Sequence, residues 1–368
     1  MQQARLHILD SFRGIAALVV FFHHIYTKFY NLFPNRNSRT SYFLNYISSL
    51  NTEAVLFFFF ISGFSIALSL NGRLPSSNKE INTYLFRRFR RIIPLYLLTL
   101  FLIAICGLVS QEFWIDTSYQ IKTLIGNILF LQNSNSYNGN WFEPYGGNGP
   151  LWSISFEMWY YIFLLILFWG LIKLVGKSSL SKYLIDLGLL ISWAVTFFSI
   201  WLNKQVYLPW VAYLTLFMVW YIGFWIGAHY KLKTLSLKHL FYLLMITSVH
   251  FIISEGVDSA TLGRLKTGTM IASIFLIVYF LKKYLSHFYY IIENVLNFLF
   301  NKIGNFSYAL YLIHFPFLLV CKKYFPNSSF AVIVTIVFIL CFSYILESWF
   351  KKQKLSFFDR NYLPVKNG

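Results

Sequence analysis

Acid is what this chain has least of: 13 Asp and Glu stand against 31 Lys and Arg in 368 residues, and charged side chains together make up only 12%. An average soluble domain carries about twice that share, so the composition excludes an ordinary water-soluble globule. Cysteine is scarce as well. Cys106, Cys321 and Cys341 all lie in apolar segments, show no metal-ligand or redox spacing, and read as small hydrophobes. No internal repeat is visible, no further soluble domain is expected after the last apolar run, and the tail 351–368 is too short to fold alone.

What the chain has instead is apolar and aromatic surface, 57% and 21% of its residues. The formal charge of +18 invites a nucleic-acid reading. The basic residues, however, are clustered between long apolar stretches, where they act as topology signals, and nucleic acid is excluded as a partner. Arg5 precedes the first apolar run as in a signal peptide, but no small-residue cleavage site follows Tyr30, so the run is expected to stay as the first span.

Crossing the hydrocarbon takes about 20 mainly apolar residues. That measure predicts an all-α integral membrane protein, a bundle of about ten transmembrane helices, with spans at 8–30, 53–70, 92–110, 150–172, 183–202, 208–229, 239–254, 267–281, 303–321 and 330–350. The stretch 121–132 is too short and is read as re-entrant or interfacial. With a cytoplasmic N-terminus the inner segments hold 21 of the Lys and Arg residues and the outer ones 9, which predicts both termini in the cytoplasm. The loop 133–149, NSNSYNGNWFEPYGGNG, would then face outward; it suits a polar ligand or a plain connector equally.

Ionisable residues inside spans are costly and point to function or to a buried partner. The first span carries Asp10, Arg13, His23 and His24. Arg13 and His24 are eleven residues apart, which brings them within about 20° of one face and about 16 Å apart along the axis, while His23 points about 100° away from His24. An imidazole can serve as a general base toward a hydroxyl, or simply hydrogen-bond between helices. In FRRFRRIIPLY, residues 86–96, Arg88 and Arg91 share a face, as do Arg87 and Arg90. Such a pair can bind phosphates or anchor the helix on anionic lipid. Glu157 in GPLWSISFEMWYY, residues 149–161, is a carboxylate in an aromatic helix that needs a partner or must take up a proton, with Arg13 and the histidines as candidate partners; Ser153 can cap or hydrogen-bond. GNFSYALYLIHFP, residues 304–316, adds Ser307, Tyr308, Tyr311 and His314, with Pro316 expected to close or kink the helix. Glu347 reads as an interfacial charge.

Taken in order, these motifs resemble the membrane acyltransferase-3 family, sometimes named after its sugar O-acetyltransferase members. LDSFRGIAALVVFFHH is similar to its opening signature, which selects Arg13 and His24. FFFFISGFSIAL matches around Ser62, Gly63 and Phe64, and RRFRRIIPLY matches at Arg88, Arg91 and Pro94. PLWSISFEMWYY matches at Trp152, Ser153, Glu157 and Tyr161, and IGNFSYALYLIHFP at Ser307, Tyr308, Tyr311, His314 and Pro316. Ser11 stands where the family usually has glycine, and Ser348 and Trp349 stand where a proline often follows the late glutamate. Many relatives carry a fused extracytoplasmic hydrolase-like domain, and none is expected here.

The resemblance implies one ten-span acyltransferase domain over 1–350 in the cell membrane. It would move an acyl group, usually acetyl, from cytoplasmic acyl-CoA to a hydroxyl of an extracytoplasmic or lipid-linked carbohydrate. It implies His24, Arg13 and Glu157 as catalytic and Arg88 with Arg91 as binding acetyl-CoA. Asp10, His23, Trp152, Ser153, Tyr161, Ser307, Tyr308, Tyr311 and His314 would contact substrate or support these groups. No metal is expected; acyl-CoA, the carbohydrate and membrane lipid are the expected partners, with a homo-oligomer left open. The competing readings are a transporter or flippase of a lipid-linked sugar, and an N-acylating or succinylating member of the same family.

Overall fold

The computed structural model describes residues 7–33, 38–75, 77–133, 141–175, 181–206, 208–255, 260–282 and 284–357. Residues 134–140 of the expected outer loop, the tail beyond 357, and Arg5, Arg36, Lys177, Lys283, Arg360 and Lys366 of the orientation argument lie outside them. Among the described residues there is no strand, only one isolated bridge between Gln132 and Phe142. The helices are α1 (His7–Lys28), α2 (Arg39–Ser49), α3 (Asn51–Ser69), α4 (Asn78–Val109), α5 (Ile121–Ile128) and α6 (Leu151–Val175), then α7 (Ser181–Gln205), α8 (Phe217–Lys231), α9 (Leu237–Glu255), α10 (Ala260–Leu281), α11 (Ser286–Tyr324) and α12 (Ser329–Phe357). In a bilayer a helix satisfies every backbone group internally, which is why long apolar runs settle into this one form. Nine of the described helical segments are long and apolar enough to cross a membrane, and Leu237–Ile252 is a shorter apolar helix. The stretch 121–132 contains only the eight-residue α5, too short to span.

Three helices outrun their expected spans. The third begins at Asn78 because Ser77 and Glu80 form a reciprocal cap: each backbone N–H donates to the other's side chain, both at 3.3 Å. The arginines at 87–91 therefore sit within a helix and not at its mouth. The ninth span is part of a 39-residue helix that also runs through Pro316, and α12 continues to Phe357, so the tail begins as helix. Proline within a spanning helix is tolerated where neighbouring groups satisfy the freed backbone.

The chain divides into two compact units, Met1–Ser49 with Ile93–Ile115 and Asn294–Gly368, and Leu50–Ile92 with Asp116–Glu293. In the first, α1 and α11 touch backbone to backbone. A Cβ on Gly14 would lie 2.5 Å from the Phe300 carbonyl oxygen, and one on Gly304 would collide with the Asp10 carbonyl. Polar groups extend the contact: Ser11 Oγ donates to Asn297 Oδ1 at 2.7 Å, and Asn301 Nδ2 donates to the His7 carbonyl at 3.1 Å. These asparagines explain why α11 continues below the apolar stretch that sequence alone marks.

In the second unit, α8 is apolar all round and therefore enclosed. Trp220, Tyr221, Phe224 and Trp225 are all buried on it. It meets α3 through a close backbone approach at Gly63, which faces the Trp220 carbonyl, and through Gly223, which faces the Phe60 carbonyl. Phe275 of α10 packs on Phe60 and Phe64 at ring distances of 5.2 and 5.5 Å.

Candidate active site

The glycine contact in the first unit decides what lies further along the same two helices. His24 is ten residues past Gly14 and His314 is ten residues past Gly304. Equal steps of about 15 Å along helices that run in the same direction bring the two imidazoles to one level. Their ring centroids are 5.2 Å apart, and Phe315 closes on His24 edge-on at 4.9 Å. His314 is fully buried, and its Nδ1 lies 2.9 Å from the Leu310 carbonyl. A carbonyl only accepts, so Nδ1 carries the proton and Nε2 is left as a bare lone pair. That Nε2 is buried and has no hydrogen-bond partner among the described residues. His24 is partly exposed and, among the described residues, its side chain meets only other rings.

His23 faces another neighbour. Its Nδ1 lies 2.9 Å from the Ser48 carbonyl and 3.0 Å from the Ser48 hydroxyl, which ties α1 to the end of α2. Arg13 pairs with Asp10 through Nη1 and Oδ1 at 3.0 Å, with side chains only 17% and 7% exposed. Removing one partner of so enclosed a pair leaves an uncompensated charge. Ser307 spends its hydroxyl on the Gly304 carbonyl at 2.9 Å, and the Tyr311 ring lies 6.2 Å from His314. Tyr308 is partly exposed on the same helix.

The second unit gathers a carboxylate cluster. Ser62 and Tyr161 both donate to Oε1 of Glu157, each at 2.5 Å, and their hydroxyls lie 3.2 Å from each other. Trp220 Nε1 donates to Ser62 Oγ at 3.2 Å, and Tyr84 donates to the Tyr161 carbonyl at 3.3 Å. Two donors into one oxygen suit the ionised carboxylate. Among the described residues no donor reaches Oε2, so half of the acceptor capacity of Glu157 is open. Trp152 packs on Phe59 and Phe156, with the Arg264 guanidinium 5.8 Å from its ring. Ser153 is buried inside the first turn of α6 and donates back to the Pro150 carbonyl at 3.3 Å, a hydrogen bond and not a cap.

Arg88 and Arg91 share a face of α4 but differ in setting. Arg88 is partly buried, donates from Nη2 to Ser69 Oγ at 2.8 Å, and keeps a buried Nε without a partner; Arg91 is exposed. The flanks of the 133–149 loop are pinned to α5 and to the start of α6. Asn127 donates to the Glu143 carbonyl at 2.8 Å and accepts from the Tyr145 amide at 3.0 Å, while Gln132 donates to the Leu151 carbonyl at 3.0 Å. Tyr145 is buried there, and burial pushes its phenol above the usual range, so it stays a neutral donor.

The family model described as an acyltransferase domain, that of acyltransferase-3, matches residues 6–349. The chain belongs to the acyltransferase-3 family. Among curated proteins it is similar to the acyltransferase MdmB of Streptomyces mycarofaciens, 30% identical over 162 residues, which is 43% of this chain and 38% of that relative. No solved structure matches it. With its many apolar helices, this acyltransferase-3 member is a multi-pass membrane protein.

The structure adds to the family motifs partners that sequence reasoning did not pair with them. Ser62 is part of the second-span motif, but its bond to Glu157 joins residues 95 positions apart, a distance over which one sequence carries no signal. Tyr84, Ser69 and Trp220 were not singled out at all. A third cluster, Asp186 with His229 and His239, was also passed over. The same rule that flagged Asp10 and Glu157, an ionisable group inside an apolar run, would have found Asp186.

Proposed function

We propose that this protein transfers an acyl group, acetyl in the first instance, from a coenzyme A thioester to a hydroxyl of a carbohydrate at the cell surface or on its lipid-linked precursor. The observation that carries this reading is the imidazole pair: His24, partly open and free of hydrogen bonds to its ring, lies beside the bare Nε2 of His314. His24 removes the proton from the acceptor hydroxyl as that oxygen attacks the thioester carbonyl. The tetrahedral carbon then expels sulfur, the C–S bond breaks, and the imidazolium returns its proton to the thiolate. The products are an ester and free coenzyme A. His314 presents a lone pair toward which a protonated neighbour can donate. Arg13, neutralised by Asp10, keeps the interior of α1 electrically balanced.

Arg88 is the coenzyme-binding residue in this reading, with Arg91 beside it on the same helix face. Its unpartnered Nε is a donor that a phosphate oxygen would satisfy. Arg88→Ala is expected to raise the KM for acetyl-CoA about tenfold or more with a smaller change in kcat, and Arg88→Lys to recover part of it. The open Oε2 of Glu157 is an acceptor for a substrate hydroxyl. Glu157→Gln keeps the shape and removes the charge; kcat is expected to fall about 100-fold. A rise in KM alone, with kcat unchanged, would assign Glu157 to substrate binding and not to the chemical step. The basic-residue asymmetry supports cytoplasmic termini, and therefore donor entry from the inside.

The reading is tested by mass spectrometry of surface carbohydrate from cells with and without the gene. The expected result is a shift of one acyl group per modified residue. Identical carbohydrate in the two strains, combined with altered distribution of a lipid-linked sugar across the membrane, would favour a transporter instead.

A further inference from the structure

Asp186, His229 and His239 converge in the second unit from three separate segments: the first turns of α7, the last turn of α8 and the first turn of α9. Their candidate ligand atoms all lie within 4.8 Å of one another. Both imidazoles are 2% exposed and their ring centroids are 4.3 Å apart. We propose that Asp186, His229 and His239 form a binding site for a divalent transition metal of the zinc class. The site is unconnected with the residues assigned to acyl transfer, and its test does not depend on that reading.

The donor set fits such an ion in kind and in surroundings. Two imidazoles and one carboxylate, with a water in the fourth position, suit zinc and disfavour calcium or magnesium, which take oxygen ligands. A metal-bound histidine is ordinarily oriented through its other ring nitrogen, and each histidine here has a polar neighbour at Nδ1. Nδ1 of His229 lies 2.7 Å from Thr234 Oγ1, and Nδ1 of His239 accepts from the Ser236 amide at 3.1 Å with the Ser236 carbonyl 3.2 Å away, so Nδ1 of each ring is engaged by its own connector and Nε2 is the nitrogen left for an ion once its proton is released. Trp225 Nε1 fixes the carboxylate, donating to Asp186 Oδ1 at 2.7 Å. The Asp186 side chain is 48% exposed, which provides an entry route and room for the water.

Nε2 of His229 lies 2.9 Å from Asp186 Oδ1. In the metal-free form that contact is a hydrogen bond with the proton on Nε2. On loading, the neutral ring changes tautomer through solvent: Nε2 gives up its proton, Nδ1 takes one and turns from accepting the Thr234 hydroxyl to donating to it, and the ion replaces the hydrogen bond with no net proton released. Tetrahedral zinc with bonds of about 2.1 Å separates its ligand atoms by about 3.4 Å. The 2.9 Å pair must therefore open by about half an ångström, a side-chain adjustment. His239 also caps the start of α9 by accepting the Ser236 amide, but that bond uses Nδ1 and leaves Nε2 beside the Asp186–His229 pair. The bound ion would tie the ends of α7, α8 and α9 together across the short connector 232–236.

The full chain, purified in detergent with a tag that contains no histidine, is stripped with chelator and dialysed against zinc. Elemental mass spectrometry is expected to find about one zinc per chain. Cobalt in its place is expected to give the visible absorption of a tetrahedral site. His239→Gln preserves the Asp186–His229 hydrogen bond and is expected to bind zinc at least about 100-fold more weakly. Wild-type protein that retains no zinc above the His229→Gln/His239→Gln double variant, or that gives no tetrahedral cobalt spectrum, overturns the proposal. Since the wild-type measurements stand alone, a variant that fails to fold does not shield it.

Discussion

His24→Ala is expected to lower acyl transfer by about 100- to 10,000-fold, the range supplied by a positioned general base, with unchanged amounts of protein in the membrane. The expectation of intact folding follows from the surroundings of the ring. His24 is only partly buried and makes no hydrogen bond through its side chain, so truncation strands no buried donor or acceptor. His23→Ala is the contrasting variant. It removes the link from Nδ1 to Ser48 and leaves that carbonyl without the imidazole, a change in how α1 meets α2. Its effect should appear in thermal stability, about 1–3 kcal/mol, more than in the rate of the chemical step. Radiolabelled acetyl transfer into extracted surface carbohydrate, normalised to protein by immunoblot, measures both. A His23 variant that loses as much rate as the His24 variant at equal protein would contradict the division of roles.

Gly304→Ala is expected to lose about 100-fold in rate without touching a reacting group. A Cβ at that position has no room, because it meets the Asp10 carbonyl oxygen and carbon and approaches Asp10 Cα to 3.1 Å. All three are backbone, so α1 must shift relative to α11, and the level match of His24 with His314 shifts with it. Misplacing a catalytic group by about 1 Å can cost about 100-fold, and overpacking costs about 1–3 kcal/mol in stability. Gly170→Ala is the control, since nothing lies within 4 Å of a Cβ there. Rate and thermal midpoint should both be unchanged in the control and both reduced in Gly304→Ala. Normal activity of Gly304→Ala would show that the register of α1 on α11 does not govern the chemistry.

Much of the fold was legible because membrane spans have the simplest of sequence signals, an uninterrupted apolar run of fixed length. Helix ends were less legible. The cap between Ser77 and Glu80 was present in the letters but lay outside the apolar window, so the start of α4 was placed at 92 instead of Asn78. The polar residues Asn297 and Asn301 delay the expected start of the ninth span to 303 for the same reason; they are not breaks but the face that bonds α1. Ionisable residues in spans named most of the side chains now found in clusters, yet not their partners. Glu157 was offered Arg13 and the histidines, whereas its bonds are to Ser62 and Tyr161. Two hydroxyls cost little to bury and leave no trace in hydropathy, so a carboxylate satisfied by them cannot be paired from composition.

Arg88 shows the same limit from the other side. Sequence placed it beside Arg91 as one of two equal forks, but Ser69 draws Arg88 inward while Arg91 stays exposed. The donor-binding role therefore falls unequally on the two, and Arg91→Ala is expected to raise the KM for acetyl-CoA less than Arg88→Ala does.

The most direct measurement is the release of free thiol from acetyl-CoA by the purified full-length protein, with extracted surface carbohydrate as acceptor, followed together with ester formation. Wild-type protein is expected to release about one thiol per ester formed, and His24→Ala to release none above background while remaining folded. Thiol release by the folded His24→Ala protein at the wild-type rate would contradict the account.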